Sequence, residues 1–358
     1  MPFDDAPRSD FTSSPPNHTS PRPASTRRGF VLCLKITVAA ALITFLVRSD
    51  QLDLSQLGQI SSIPHALLAL SAILGAFLVS TIRWHGLLQS LEVVVTRREC
   101  LRISWLGLLS SQILPGVTGG DLVRGASIAR SVPTRRLPAI LSVVIDRGIG
   151  LVGLLIIGTV ALTLAPIELR DDPIIGTVTK SVAVFCALGI LGLSLLAWPG
   201  TWQLPWIRTV VARIGTSGTT GRILVAMQLL GGRFGAILRA LGWSMVAHAL
   251  TIFAAATIAH ACFAGSTGAE EGAGLADYAL LVPVGQLAAA LPIAPGGVGV
   301  SEWVYESLFA RLGVSHGAEL SLWIRALQIT TALGAIPLTL ARMRSRVGSK
   351  GAPIPSES

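Results

Sequence analysis

The chain has 358 residues, of which 51% are hydrophobic and only 13% charged, against about 25% charged in a soluble domain. That composition excludes a water-soluble globular class and places the chain in a bilayer. Its formal net charge of +9 comes almost wholly from arginine. The arginines sit in short segments between apolar runs, which reads as the positive-inside rule and headgroup contact and not as nucleic-acid binding.

In chain order, residues 1–29 are rich in Pro, Ser and Thr and predict a disordered cytoplasmic tail. Asn17-His18-Thr19 within it matches a glycosylation sequon that a cytoplasmic tail would never present. The run from Phe30 to Val47 lacks a small-residue cleavage site and reads as an anchor. Spans of roughly 20 apolar residues are expected at 30–47, 64–82, 138–165, 177–198, 236–263 and 318–341. Residues 199–233 are not a span. Trp198, Trp202 and Trp206 followed by Arg208, Arg213 and Arg222 suggest an interfacial segment, with Pro199 and Pro205 breaking any single helix. Residues 346–358 form a second cytoplasmic tail. Cys33, Cys100, Cys186 and Cys262 are scattered, without metal-ligand or disulfide spacing.

Two further apolar regions, 99–131 and 277–314, each carry Leu-Pro-x-x-x-Gly-Gly, at Leu114–Gly120 and at Leu291–Gly297, offset by 177 residues. Pro and Gly break helices, and broken backbone at membrane depth survives only where protein or a watery cavity satisfies its polar groups. Arg97, Arg98 and Arg102 precede the first motif, and Arg124, Arg130, Arg135 and Arg136 follow it, so both ends of 99–131 belong on the cytoplasmic side. Before the second, Glu270, Glu271 and Asp277 lie outside, while Arg342, Arg344, Arg346 and Lys350 end the last span inside. Both regions therefore read as re-entrant hairpins, although 277–314 is also long enough for two crossings.

The resulting order (span, span, hairpin, span) occurs twice with opposite orientation. Its second and third spans are offset by 172 and 180 residues, and the first, less well matched, by 147. This is the pattern of inverted repeats, whose interrupted helices mark a transport site. The expected fold is all-α and polytopic, about six transmembrane helices plus two re-entrant hairpins. The first repeat covers 30–165 and the second 166–345.

Asp146 and Arg147 fall about eight residues into their span, some 12 Å deep at 1.5 Å per residue, and Arg325 about seven into its own. Charges at that depth face the bundle interior or a cavity. Arg147 and Arg325 are 178 positions apart, close to the repeat offset, which makes them symmetry mates. Asp146, pointing about 100° away from its neighbour, can pair with Arg325 or Arg124, or can serve as a proton-coupling group. Gly119, Gly120, Gly296 and Gly297 admit close approach of backbone or ligand. Helix N-termini near Asp121 and Ser301 offer seats for an anionic headgroup, with Asp121 and Glu302 competing as caps. The candidate substrate-binding set is therefore Arg124, Arg147, Arg325, Asp121, Glu302, Gly119, Gly120, Gly296 and Gly297. His248 and His260 share a helix face and could relay protons, but read more simply as interior histidines bonded to neighbours. No P-loop, His-Glu-x-x-His or Gly-x-Ser-x-Gly occurs, so no catalytic residue, metal or cofactor is expected.

At these residues the chain resembles the lysylphosphatidylglycerol synthase transmembrane region. The resemblance rests on Leu-Pro-x-x-x-Gly-Gly-Asp-x-x-Arg124 with Ala139-Ile-Leu-Ser-Val-Val-Ile-Asp146-Arg147. It also rests on Leu291-Pro-Ile-Ala-Pro-Gly-Gly-Val-Gly-Val-Ser-Glu302 with Leu312-Gly-Val and Arg325, and it covers nearly all of 30–345. Asp121 stands where Glu is common in that family. The resemblance implies a flippase-like protein of the bacterial inner membrane that handles a phospholipid or polyprenyl-linked lipid. No aminoacyl-transfer domain follows residue 345, so synthase activity is not implied. The rival readings are a membrane-embedded enzyme modifying a lipid headgroup with Asp121, Asp146 or Glu302, and an accessory subunit partnering lipid-biosynthesis enzymes. Cysteines placed at Ser266 and Ser315 should label from outside the cell and one at Ser349 only from within; outside labelling at 349 would refute the hairpin assignment.

Overall fold

The computed structural model describes residues 62–113, 119–164, 173–214, 227–263, 274–290, 299–312 and 316–334. The described residues are mostly helical and contain no strand. The helices are α1 (Ile63–Ser90), α2 (Arg97–Ile113), α3 (Gly119–Ser131), α4 (Arg136–Leu164) and α5 (Pro173–Ala197), then α6 (Pro205–Ile214), α7 (Phe234–Phe263), α8 (Leu275–Ala290), α9 (Val300–Phe309) and α10 (Gly317–Leu333). Among them α1, α4, α5 and α7 are long and apolar enough to cross a membrane. The protein is an all-α polytopic membrane protein. The expected span 30–47, the end of 318–341 and the two tails lie outside the described residues.

α1 runs eight residues past the expected end of its span, to Ser90. Arg83 closes the apolar run in sequence, but Trp84, Leu87, Leu88 and Leu91 beyond it are fully buried, so the helix continues. It stops at Glu92, whose φ of 58° is left-handed. The Glu92 carboxylate accepts from Arg135 and Arg233, both at 3.1 Å, tying the end of α1 to the starts of α4 and α7.

Each expected hairpin region contains a pair of packed short helices, α2 on α3 and α8 on α9. The longest, α2, has 17 residues, about 26 Å against a hydrocarbon core of about 30 Å. The residues between the members of each pair, 114–118 and 291–298, lie outside the described residues. Between 199 and 214 the chain forms a 3-10 turn (Pro199–Gln203) and then the short α6, which leaves Trp198 and Trp206 exposed as an interfacial segment should.

The helix contacts show an internal two-fold pattern. α1 lies along α7, and several of the other contacts come in exchanged pairs. Thus α2–α3 matches α8–α9, α3–α4 matches α9–α10, α1–α4 matches α7–α10, and α4–α8 matches α10–α2. α1 and α7 are antiparallel: the His65 ring meets His260 with centroids 4.8 Å apart, Gly75 faces Leu250, and Arg83 bonds Ser244. An axis exchanging them is perpendicular to both, and so lies in the plane of the membrane. Two apolar cores follow from this arrangement. One joins Trp84, Leu88, Ile103, Ile128, Ile149 and Ile237, the other Ala69, Ile258, Val282, Phe309 and Leu320.

Close helix approach within each pair depends on glycine. A Cβ on Gly107 would run into the Arg124 side chain, and one on Gly285 into the Tyr305 ring. Gly285→Val should therefore lower stability by about 1–3 kcal/mol through overpacking. Gly86 has nothing near its Cβ position, so Gly86→Ala should instead gain about 0.5–1 kcal/mol of helix stability. Thermal unfolding of the detergent-solubilised variants separates the two, and equal behaviour would refute the packing argument.

Candidate functional site

A cavity of about 450 Å³ lies between α1, α2, α4 and α7, with α8 and α10 contributing to its wall. Phe77, Gly150 and His248 line it from near the middle of α1, α4 and α7. Its depth is thus about 20 Å from either end of these helices at 1.5 Å per residue. Arg83, Arg124, Arg147 and Arg325 all reach it, and Asp146 is the one carboxylate on its wall among the described residues.

The charges are bound in an ordered chain. Asp146, with 3% of its side chain exposed, accepts at Oδ1 from Arg83 Nε (2.8 Å) and at Oδ2 from Arg124 Nη2 (3.2 Å). Arg124 Nη1 also donates to Asp121 Oδ1 at 3.4 Å, and Arg147 Nε pairs with Asp121 Oδ2 at 3.4 Å. Positive and negative groups therefore alternate from Arg83 to Arg147. Arg83 further donates to Ser244 Oγ at 2.9 Å, bringing α7 into the cluster. Arg124 lies 4.2 Å over the Trp84 ring, which is fixed by its own bond to Ser142 Oγ at 3.0 Å. The Arg124 Nε is buried without a hydrogen-bond partner among the described residues.

The second half repeats part of this. Glu302 is fully buried and accepts from Arg325 Nη2 at 3.2 Å and Ser321 Oγ at 3.3 Å. It also caps α9, accepting from the Gly299 backbone N–H at 2.6 Å and Ser301 Oγ at 3.0 Å. Asp121 and Glu302 are each the third residue of their helix, and each holds an arginine from the helix that follows. At the sixth position the halves diverge. Arg124 stands on α3, whereas Tyr305 stands on α9 and donates to the Val282 carbonyl at 3.3 Å. The extra charges Arg83, Arg124 and Asp146 thus belong to the first half alone.

The structure brings Arg124, Arg147 and Arg325 to one cavity, with Asp121 and Glu302 directly behind them as ion-pair partners. Of the two partners open to Asp146 by sequence, it takes Arg124; Arg325 goes to Glu302. Gly119 and Gly120 are buried, and Gly120 sits against the Gly107 carbonyl where no Cβ fits. Gly296 and Gly297 lie outside the described residues. His248 bonds the Gly150 carbonyl at 3.0 Å and lines the cavity, whereas His260 packs on His65, so the two histidines do not form a relay. Arg83 escapes a reading by motif because it closes an apolar run. The buried pattern Trp84, Leu87, Leu88, Leu91 was the available signal that the helix, and Arg83 with it, stays inside the protein.

The family model described as lysylphosphatidylglycerol synthase TM region matches residues 32–334 of the chain. No curated protein matches it.

The ion network makes the acidic and basic positions unequal. Asp146→Ala leaves Arg83 and Arg124 without their shared counter-charge and should destabilise the protein by about 3–5 kcal/mol. Arg147, with 44% of its side chain exposed, should cost about 0–1 kcal/mol on truncation to alanine. Melting curves of the two purified variants read this difference, and a marginal Arg147→Ala protein would show the pair to be buried in practice.

Proposed function

The chain belongs to the lysylphosphatidylglycerol synthase TM region family, and on that premise we propose that it translocates a lipid, or the headgroup of a polyprenyl-linked lipid, between membrane leaflets. The observation that carries this reading is the gathering of Arg83, Arg124, Arg147 and Arg325 around one cavity midway along the long helices. Charged groups at that depth need a counter-charge or water. Among the described residues these four guanidiniums pair with three carboxylates, those of Asp121, Asp146 and Glu302, an excess of one positive charge in that set. A phosphate ester of a headgroup supplies what is missing, while its acyl chains remain in lipid. Arg124, which lines the cavity, and the partly exposed Arg147 make the contact; Arg325 closes it from the other half.

The two-fold relation of the halves provides the movement. Rocking one half against the other about the α1–α7 seam would open the cavity to each leaflet in turn. A proton on Asp146 would release Arg124 toward the headgroup, which would couple protonation to this step. As a bacterial inner-membrane translocase the protein would keep both termini in the cytoplasm, the arrangement its arginine distribution favours.

The test compares leaflet-resolved lipid profiles of cells lacking the protein, rescued by wild type or by Arg147→Ala. Translocation predicts a lipid whose total amount is unchanged but which disappears from one leaflet, with no rescue by Arg147→Ala. Loss of a headgroup from the whole membrane would instead favour a lipid-modifying enzyme or a biosynthetic partner. Asp146→Asn transporting at the wild-type rate would remove the proton step alone.

A further inference from the structure

The segment after α5 carries a surface that the cavity does not use. α5 is long and apolar enough to cross the membrane and ends at Ala197, so Trp198 leaves it at the boundary between hydrocarbon and headgroups. We infer that the segment from Trp198 through α6 is a docking surface for a bilayer rich in anionic phospholipid, with an affinity set by lipid charge and not by aromatic anchoring alone. The surface is independent of what the cavity carries.

The three tryptophans divide into one that holds the segment in place and two that are left over. Trp202 Nε1 donates to the Leu196 carbonyl at 3.4 Å, and its ring fills the space beside Gly231 where a Cβ would not fit. The Gly232 N–H donates to the Ala197 carbonyl at 2.8 Å. The segment is thus fastened to the end of α5 and to the approach to α7. Trp198 and Trp206 are each 65% exposed, and α6 packs chiefly on the 3-10 turn before it. A tryptophan ring left uncovered at this boundary belongs among the headgroups, where its apolar body and its N–H are both accommodated.

The charges around these rings select the kind of bilayer. The chain has no acidic residue between Asp172 and Glu270. Glu92, at the same end of the bundle, pairs with Arg135 and Arg233. Among the described residues neither Arg208 nor Arg213 has an ion pair, and both are exposed. At about 100° per residue, the order around α6 is Arg213, Trp206, Ile207, Arg208. A cation therefore flanks the apolar pair on either side. That arrangement suits a helix lying in the interface, its rings at the acyl boundary and its guanidiniums reaching lipid phosphates along their apolar stems. A zwitterionic bilayer satisfies the tryptophans as well as an anionic one does, but each basic residue near an anionic surface strengthens binding about fivefold.

The test is hydrogen–deuterium exchange of the full chain in nanodiscs of phosphatidylcholine alone and of equal parts phosphatidylcholine and phosphatidylserine, read over α6. Exchange should be at least about tenfold slower in the mixed bilayer, since two arginines act together, and added salt should shrink the difference. The double variant Arg208→Gln/Arg213→Gln should lose the difference while keeping the phosphatidylcholine rate, with unchanged exchange in α4 and α7 reporting that it is folded. Equal exchange of the wild type in the two bilayers, or a lipid response that survives loss of both arginines, reduces the surface to aromatic anchoring and overturns the docking of anionic lipid. Exchange at the rate of an unprotected peptide in both bilayers shows that α6 does not lie on the membrane and overturns it outright.

Discussion

Asp146, buried between Arg83 and Arg124, is the interaction on which the rest of the site depends. A lone carboxylate or guanidinium at this depth would be costly by several kcal/mol. Here each of the two carboxylate oxygens receives a charged donor, so the group is stable only while α1, α3 and α4 stay together. The bond from Arg83 to Ser244 adds α7. One ionic cluster thus fixes the mutual placement of the helices that surround the cavity, and the cavity inherits its charge from that cluster.

The two-fold arrangement explains why the cluster is lopsided without disturbing the fold. The scaffold contacts are repeated: small glycine faces at α2–α3 and α8–α9, an acidic third residue on each short helix, and an arginine from the following helix held by it. These positions maintain packing and so recur in both halves. Arg124 against Tyr305 is where the halves part company, and with it the second half loses any need for counterparts to Arg83 and Asp146. A symmetric frame thus carries an asymmetric charge, concentrated on the first-half side of the cavity.

The Arg124 guanidinium is pre-positioned by three neighbours of different kinds: the Trp84 ring, Asp146 and Asp121. None of them uses its Nε. Arg147, at the exposed end of the same chain of charges, contributes reach where Arg124 contributes rigidity.

Much of this was legible in the chain itself. Apolar run lengths located α1, α4, α5 and α7, because membrane thickness imposes span length directly on sequence. Charge depth picked out Asp146, Arg147 and Arg325, and the motif led to Arg124. What could not be read was partnership. Asp146 finds Arg83 across 63 residues of chain and Arg325 finds Glu302 instead of Asp146, choices that arise from which helix faces meet. Arg83 itself was hidden, since a charge at the end of an apolar run looks the same whether it faces headgroups or a buried carboxylate. Sequence by itself determined composition, span lengths, the sites of helix breakage and the depth of the charges, all of which are local properties set by solvation. Only tertiary structure decided which charges neutralise one another and which remain available, because ion pairing in a low-dielectric interior depends on distances of a few ångströms between segments far apart in the chain.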